Sequence, residues 1–131
     1  MSIGADRLAG QEGTRITVLV VDDDLEFGRL ASDLLTDLGY HVVGWARTGN
    51  DAIAECDRLD PDAVLLDIKL PDANGVNVAK ALGAAGRRRR ILLTSADRAA
   101  VGPNQLRASG AAGFVAKTEL ARRDLGPFLR P

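Results

Sequence analysis

The sequence predicts an α/β domain with a five-stranded parallel sheet and right-handed crossovers. Three observations lead there. Short apolar runs alternate with helical periods five times along the 131 residues. The runs are nearly continuous in hydrophobic residues, as strands buried on both faces must be. The polar residues with chemical potential all follow the carboxyl ends of those runs, where open α/β sheets collect functional groups.

Each element has its own signal. Residues 1–15 carry three glycines and no apolar period and read as a loose leader, leaving 16–131 as one domain. Ile16 to Val21 is a β-branched run that stops at Asp22-Asp23-Asp24. A helix follows, with Phe27, Leu30, Leu34 and Leu38 expected on its inner side. Asp23 and Glu26 stand at capping-box spacing, and Gly39 is placed to close the helix. His41 to Ala46 reads as strand two, and Asn50 to Leu59 as a helix with Ile53 and Cys56 facing inward. Asp62 to Leu66 is strand three, ending at Asp67; Val76 to Ala84 is a helix. Ile91 to Thr94 is strand four. The next helix, between Ala99 and Ser109, should be shortened or bent by Gly102-Pro103. Gly113 to Ala116 is strand five. A last helix from Thr118 should run only about two turns before Gly126-Pro127.

Composition narrows the function classes. Seventeen basic and eighteen acidic residues give a formal charge of −1, so no bulk field draws the chain to nucleic acid or a membrane. Cys56 is the single cysteine, which excludes an internal disulfide. No apolar run is long enough for a bilayer and no secretory leader is visible, so the cytoplasm is the expected address.

Asp22, Asp23 and Asp67 follow strands one and three, Thr94-Ser95 ends strand four, and Lys117 follows strand five. Carboxylates drawn together repel one another and need a cation or a proton. Their oxygens are hard ligands, which favours Mg²⁺. Asp67 would then be a nucleophile forming an acyl phosphate, with Lys117 as a mobile charge for a phosphoryl oxygen. A hydroxyl ending strand four could donate to another oxygen.

The segments Val20-Val21-Asp22-Asp23-Asp24, Leu65 to Gly75, Thr94-Ser95-Ala96 and Gly113 to Lys117 together resemble the response-regulator receiver family of two-component signalling. The resemblance spans Ile16 to Leu125. It implies a doubly wound sheet of order 2-1-3-4-5 with helices on both faces, as in the chemotaxis member of the family. It implies phosphorylation of Asp67 by a sensor histidine kinase or phosphotransfer protein. Asp23 would bind Mg²⁺ directly, Asp22 through water, and the Lys69 backbone carbonyl would add an oxygen. Pro71 and Gly75 would shape the loop after strand three. Ser95, with Thr94 as the alternative, would be the switch hydroxyl and Phe114 the switch aromatic. Output to an unnamed protein partner would leave through strand 4, helix 4, strand 5 and helix 5, with no output domain, nucleic acid or membrane contact expected. Two departures stand out: Thr118 replaces the proline common after the lysine, and the last two helices look short.

Other readings compete. Haloacid-dehalogenase-like phosphatases also use an Asp nucleophile with Mg²⁺, but they need a second Asp where this chain has Lys69. A degenerate receiver would bind partners without phosphorylation, against which the intact acidic cluster and Lys117 argue. On the favoured reading the chain is no enzyme beyond its own phosphorylation and dephosphorylation. Trp45 is expected to pack on the sheet, Cys56 to be core, His41 to be structural or solvated, and Arg87 to Arg90 to be solvated or to meet an acidic partner.

Overall fold

The computed structural model describes residues 15–85 and 88–131. The expected leader falls outside the described residues except for Arg15, and so does Arg87. Five parallel strands, β1 (Thr17–Val21), β2 (His41–Ala46), β3 (Ala63–Asp67), β4 (Arg90–Ser95) and β5 (Gly113–Ala116), form one sheet in the order β2-β1-β3-β4-β5. The order reverses direction between β1 and β3. A crevice opens beyond the carboxyl ends of strands at such a point, and this is where the acidic residues gather.

The helices are α1 (Leu25–Asp37), α2 (Gly49–Leu59), α3 (Gly75–Ala84), α4 (Pro103–Ser109) and α5 (Gly126–Leu129), with a 3-10 turn at Lys117–Glu119. Side chains alternate across each strand, so the sheet has two apolar faces. One buries Leu19, Val21, Val64, Leu66 and Leu93 under α2 and α3, with Val101 and Leu106 packed at its border. The other buries Val18, Val20, Leu65, Leu92 and Val115 under α1 and the C-terminal segment. Every residue of β3 is buried, as its continuous apolar run requires.

The helix ends follow from local chemistry. Thr48 accepts from the Asp51 amide at the start of α2, and Asn74 from the Val76 amide at the start of α3. Gly39, at φ +96°, ends α1: Tyr40 N donates to Leu35 O and Gly39 N to Thr36 O. That pair of bonds is a Schellman closure, which needs a left-handed residue.

Several expectations require correction. The cap of α1 is Asp24, whose Oδ1 accepts from the Glu26 and Phe27 amides; Asp23 is left exposed. The inner stripe of α1 is Gly28, Ala31 and Leu35, while Leu30 is 62% and Leu38 50% exposed. At Gly28 the helix passes close to Trp45: a Cβ there would sit 2.4 Å from its ring. In α2 the buried face is Ala52 and Cys56, and Ile53 points outward. Gly126-Pro127 begins the four-residue α5 instead of ending a helix from Thr118, because proline is favoured in the first turn. The same preference starts α4 at Pro103, which leaves it inside the expected span and shortened at Gly102-Pro103 as expected. Arg88 is exposed, but Arg89 and Arg90 are not simply solvated. Arg89 donates to Cys56 O and pairs with Asp60, and Arg90 donates to Pro127 O.

Candidate functional site

The β1–α1 and β3–α3 connections bring three carboxylates together. Asp22 follows the last residue of β1 and is 1% exposed; Asp67 ends β3 and is 4% exposed. Asp23 is exposed beside them, and ligand oxygens of all three lie within 4.8 Å of one another. Asp22 is fixed from two sides: its Oδ1 accepts from Asp24 N at 2.9 Å, and its carbonyl from Trp45 Nε1 at 2.8 Å.

Lys117 follows β5 and reaches the same crevice. Its Nζ is 2.8 Å from Asp22 Oδ2 and 3.6 Å from Asp67 Oδ2. Burial works against the ammonium, but the hydrogen bond and charge of Asp22, followed by the charge of Asp67, outweigh it and raise the Lys117 pKa. Asp67 is shifted up, from 3.8 to about 6. Burial is the main cause, Asp22 adds repulsion, and Lys117 only partly offsets both. A carboxylate in that state gains from any added positive charge.

The donor set suits a hard divalent cation. All candidate side-chain ligands are carboxylate oxygens. Asp22 Oδ2 is buried and faces the Lys117 ammonium at 2.8 Å, while the other oxygen of the carboxylate accepts from Asp24 N. The cluster could therefore hold a metal ion.

The loop after β3 is tightly built. Gly75 N donates to Ile68 O at 2.7 Å, Leu70 N to Ala73 O, and Lys69 bridges to Asn74. A Cβ at Gly75 would lie 2.3 Å from Asp67 O, so only glycine lets the chain fold back this closely. Asp72 ties the loop to α2 by accepting from Gly49 N at 2.7 Å and Asn50 N at 3.0 Å. Those two bonds lower its pKa. The Lys69 side chain is exposed, so a lysine stands where the phosphatase reading needs a second carboxylate.

Thr94 and Ser95 diverge. Thr94 pairs with Asp67 and Val115 across the sheet, and its hydroxyl donates to Val115 O at 2.7 Å. Ser95 lies on the opposite face, the one shared by Phe114, whose register partner is Leu93. Its hydroxyl oxygen accepts from Asp97 N at 3.1 Å. Both residues are buried, and Phe114 is half-buried.

Three residues around the site were not assigned to it by sequence reasoning. Phe27 places its ring 4.2 Å from Lys117 Nζ, Trp45 holds the Asp22 carbonyl, and Asp72 anchors the β3–α3 loop. Only Phe27 carried a signal, its place in the apolar period of α1.

Residues 18–125 match the response regulator receiver domain family. Over 105 residues the chain is 37% identical to a protein-glutamate methylesterase/protein-glutamine glutaminase of Nocardioides sp., covering 78% of this chain and 29% of that protein. It is 34% identical over 79 residues to the chemotaxis protein CheY of Thermotoga maritima, covering 60% of this chain and 66% of that one. The chain thus spans less than two thirds of either relative. Among solved structures, the BeF3-activated N-terminal receiver domain of Klebsiella pneumoniae RstA superposes with TM-score 0.73 at 30% identity, covering 88% of this chain and 99% of that one.

Proposed function

This chain belongs to the response regulator receiver domain family, and on that premise we propose that Asp67 is the phosphoryl acceptor of a phosphorylation-dependent signalling switch. The observation that carries the reading is a cluster of three carboxylates at the ends of two neighbouring parallel strands, two of which, Asp22 and Asp67, are buried and pair with one ammonium.

In this reading an Asp67 carboxylate oxygen attacks the phosphorus of a phosphohistidine on a sensor histidine kinase or phosphotransfer protein. The oxygen–phosphorus bond forms as the phosphorus–nitrogen bond breaks, its electron pair returning to the imidazole. Asp23, Asp67 and the Lys69 carbonyl, with Asp22 through water, would hold Mg²⁺, which supplies positive charge to the transferred oxygens. Lys117 holds a phosphoryl oxygen as a compact point charge. Ser95 donates to another, and Phe114 moves into the space it leaves. What supports Ser95 over Thr94 is its common sheet face with Phe114, and the commitment of the Thr94 hydroxyl to Val115 O. The signal then leaves through β4, α4, β5 and the short C-terminal segment toward a protein partner.

The domain comprises residues 16–131 and acts in the cytoplasm; among the described residues no helix is long and apolar enough to cross a membrane. It catalyses its own phosphorylation and dephosphorylation and needs no other activity. The reading is tested by incubating the chain with a small phosphodonor, with Mg²⁺ or with a chelator. One added phosphoryl mass in Mg²⁺ and none in chelator is expected. No adduct in either condition would leave a phosphorylation-independent binding module.

A further inference from the structure

Lys117 is held by more than its carboxylate partners. Its ammonium lies 4.2 Å from the centroid of the Phe27 ring, on the side chain of a different element. We propose that Phe27 is a positioning residue for Lys117, its ring face keeping the ammonium over the Asp22–Asp67 pair so that it can pass from one to the other. The proposal rests on the reading of Lys117 as the partner of the phosphoryl group.

A lysine at the mouth of a crevice has a long flexible stem, and fixing it costs rotamer freedom. A strongly hydrated ammonium would otherwise spend time in solvent. An aromatic face attracts a cation through its quadrupole and shields it from water without fixing one bond direction. That last property matters here. A second carboxylate in the same place would trap the lysine, whereas a ring leaves it free to follow whichever neighbour carries more charge. At rest that neighbour is Asp22, at 2.8 Å; Asp67 is 3.6 Å away and gains charge when phosphorylated.

The ring is itself well anchored. Phe27 lies in the first turn of α1, its amide donates to Asp24 Oδ1 at 3.3 Å, and its side chain packs against the buried cluster containing Val20, Ala31 and Leu65. Asp24 N in turn donates to Asp22 Oδ1. The cap of α1, the ring and the carboxylate that pairs with Lys117 are therefore one connected unit.

The experiment compares wild type with Phe27→Leu, Phe27→Tyr and Phe27→Trp. Leucine keeps apolar packing but has no quadrupole; tyrosine and tryptophan keep the aromatic face. The first readout is the proton shift of the Lys117 ε-methylene in unphosphorylated, metal-free protein, expected upfield in wild type and unshifted in Phe27→Leu. The second is the rate of phosphorylation by a small phosphodonor at saturating Mg²⁺. It should fall by about three- to tenfold in Phe27→Leu and stay within about twofold of wild type in the aromatic variants. An unshifted ε-methylene in wild type overturns the contact. A wild-type rate in Phe27→Leu, or equal loss in folded leucine and tyrosine variants, overturns the positioning role. If wild type takes up no phosphoryl group, the switch reading and this role fall together, while the methylene shift still judges the contact by itself.

Discussion

The Lys117 ammonium sits 0.8 Å nearer to Asp22 than to Asp67, at 2.8 Å against 3.6 Å. Both carboxylates are buried, and the lysine of the unphosphorylated protein is committed chiefly to Asp22 and less to the one proposed to react. That arrangement pairs the ammonium with Asp22, which is 1% exposed, and leaves Asp67 partly uncompensated.

Removing the ammonium should therefore expose the cost of Asp22. Lys117→Ala in chelator is expected to lose on the order of 2–3 kcal/mol of stability, less than a fully buried pair because the lysine reaches solvent. Urea denaturation with and without Mg²⁺ measures this. Mg²⁺ should stabilise the variant more than wild type by replacing the missing charge, while phosphorylation is impaired. Equal Mg²⁺ stabilisation of the two proteins would place the cation away from this cluster.

The raised pKa of Asp67 carries a definite sign. The folded protein holds this proton up to about pH 6, whereas the unfolded chain releases it near 3.8. Between those values the native state binds more protons, so this group lowers stability as pH rises, and its full cost is present above about pH 6. Asp67→Asn in chelator should be more stable than wild type at pH 7 by on the order of 1–2 kcal/mol. The difference should shrink toward pH 4. A stability gain that is constant across that range would mean packing, not charge, is responsible.

The conformational response should travel along one face of the sheet. Ser95 and Phe114 share that face with Val101 and Leu106, which are only partly buried anchors of the α4 region. α4 has seven residues and opens on Gly102, so its rearrangement is inexpensive. Hydrogen exchange with and without a phosphoryl mimic should change most from Thr94 to Thr118, and Ser95→Ala should suppress the change. Protection changes centred on Leu25 to Leu59 would put the output surface elsewhere.

Much of this was legible in the sequence because buried parallel strands write themselves as continuous apolar runs. The predicted bounds of β2 and β5 match those observed, and β1, β3 and β4 differ only at their ends. The Asp22, Asp23, Asp67 and Lys117 constellation followed from strand ends together with the strand order that the family resemblance implied. What was missed depends on how closely elements approach. The leucine period of α1 pointed to Leu30, but Gly28, Ala31 and Leu35 face inward, and at Gly28 Trp45 leaves no room for a larger side chain. Phe27 beside Lys117, and Asp72 on the amides of α2, are contacts between residues far apart in the chain. No local pattern encodes them. The C-terminal segment misled for a different reason: Gly-Pro both ends and begins helices, and only the packing of Leu125 and Leu129 in the core decides which.

The central claim, that Asp67 is the acceptor, is tested most directly by intact mass of wild type and Asp67→Asn after exposure to a small phosphodonor and Mg²⁺. The asparagine keeps the shape of the site and removes only the nucleophilic carboxylate. Wild type should gain one phosphoryl group, mapped to the peptide carrying Asp67, and Asp67→Asn none. An adduct of the same mass and yield on the asparagine variant would contradict the account.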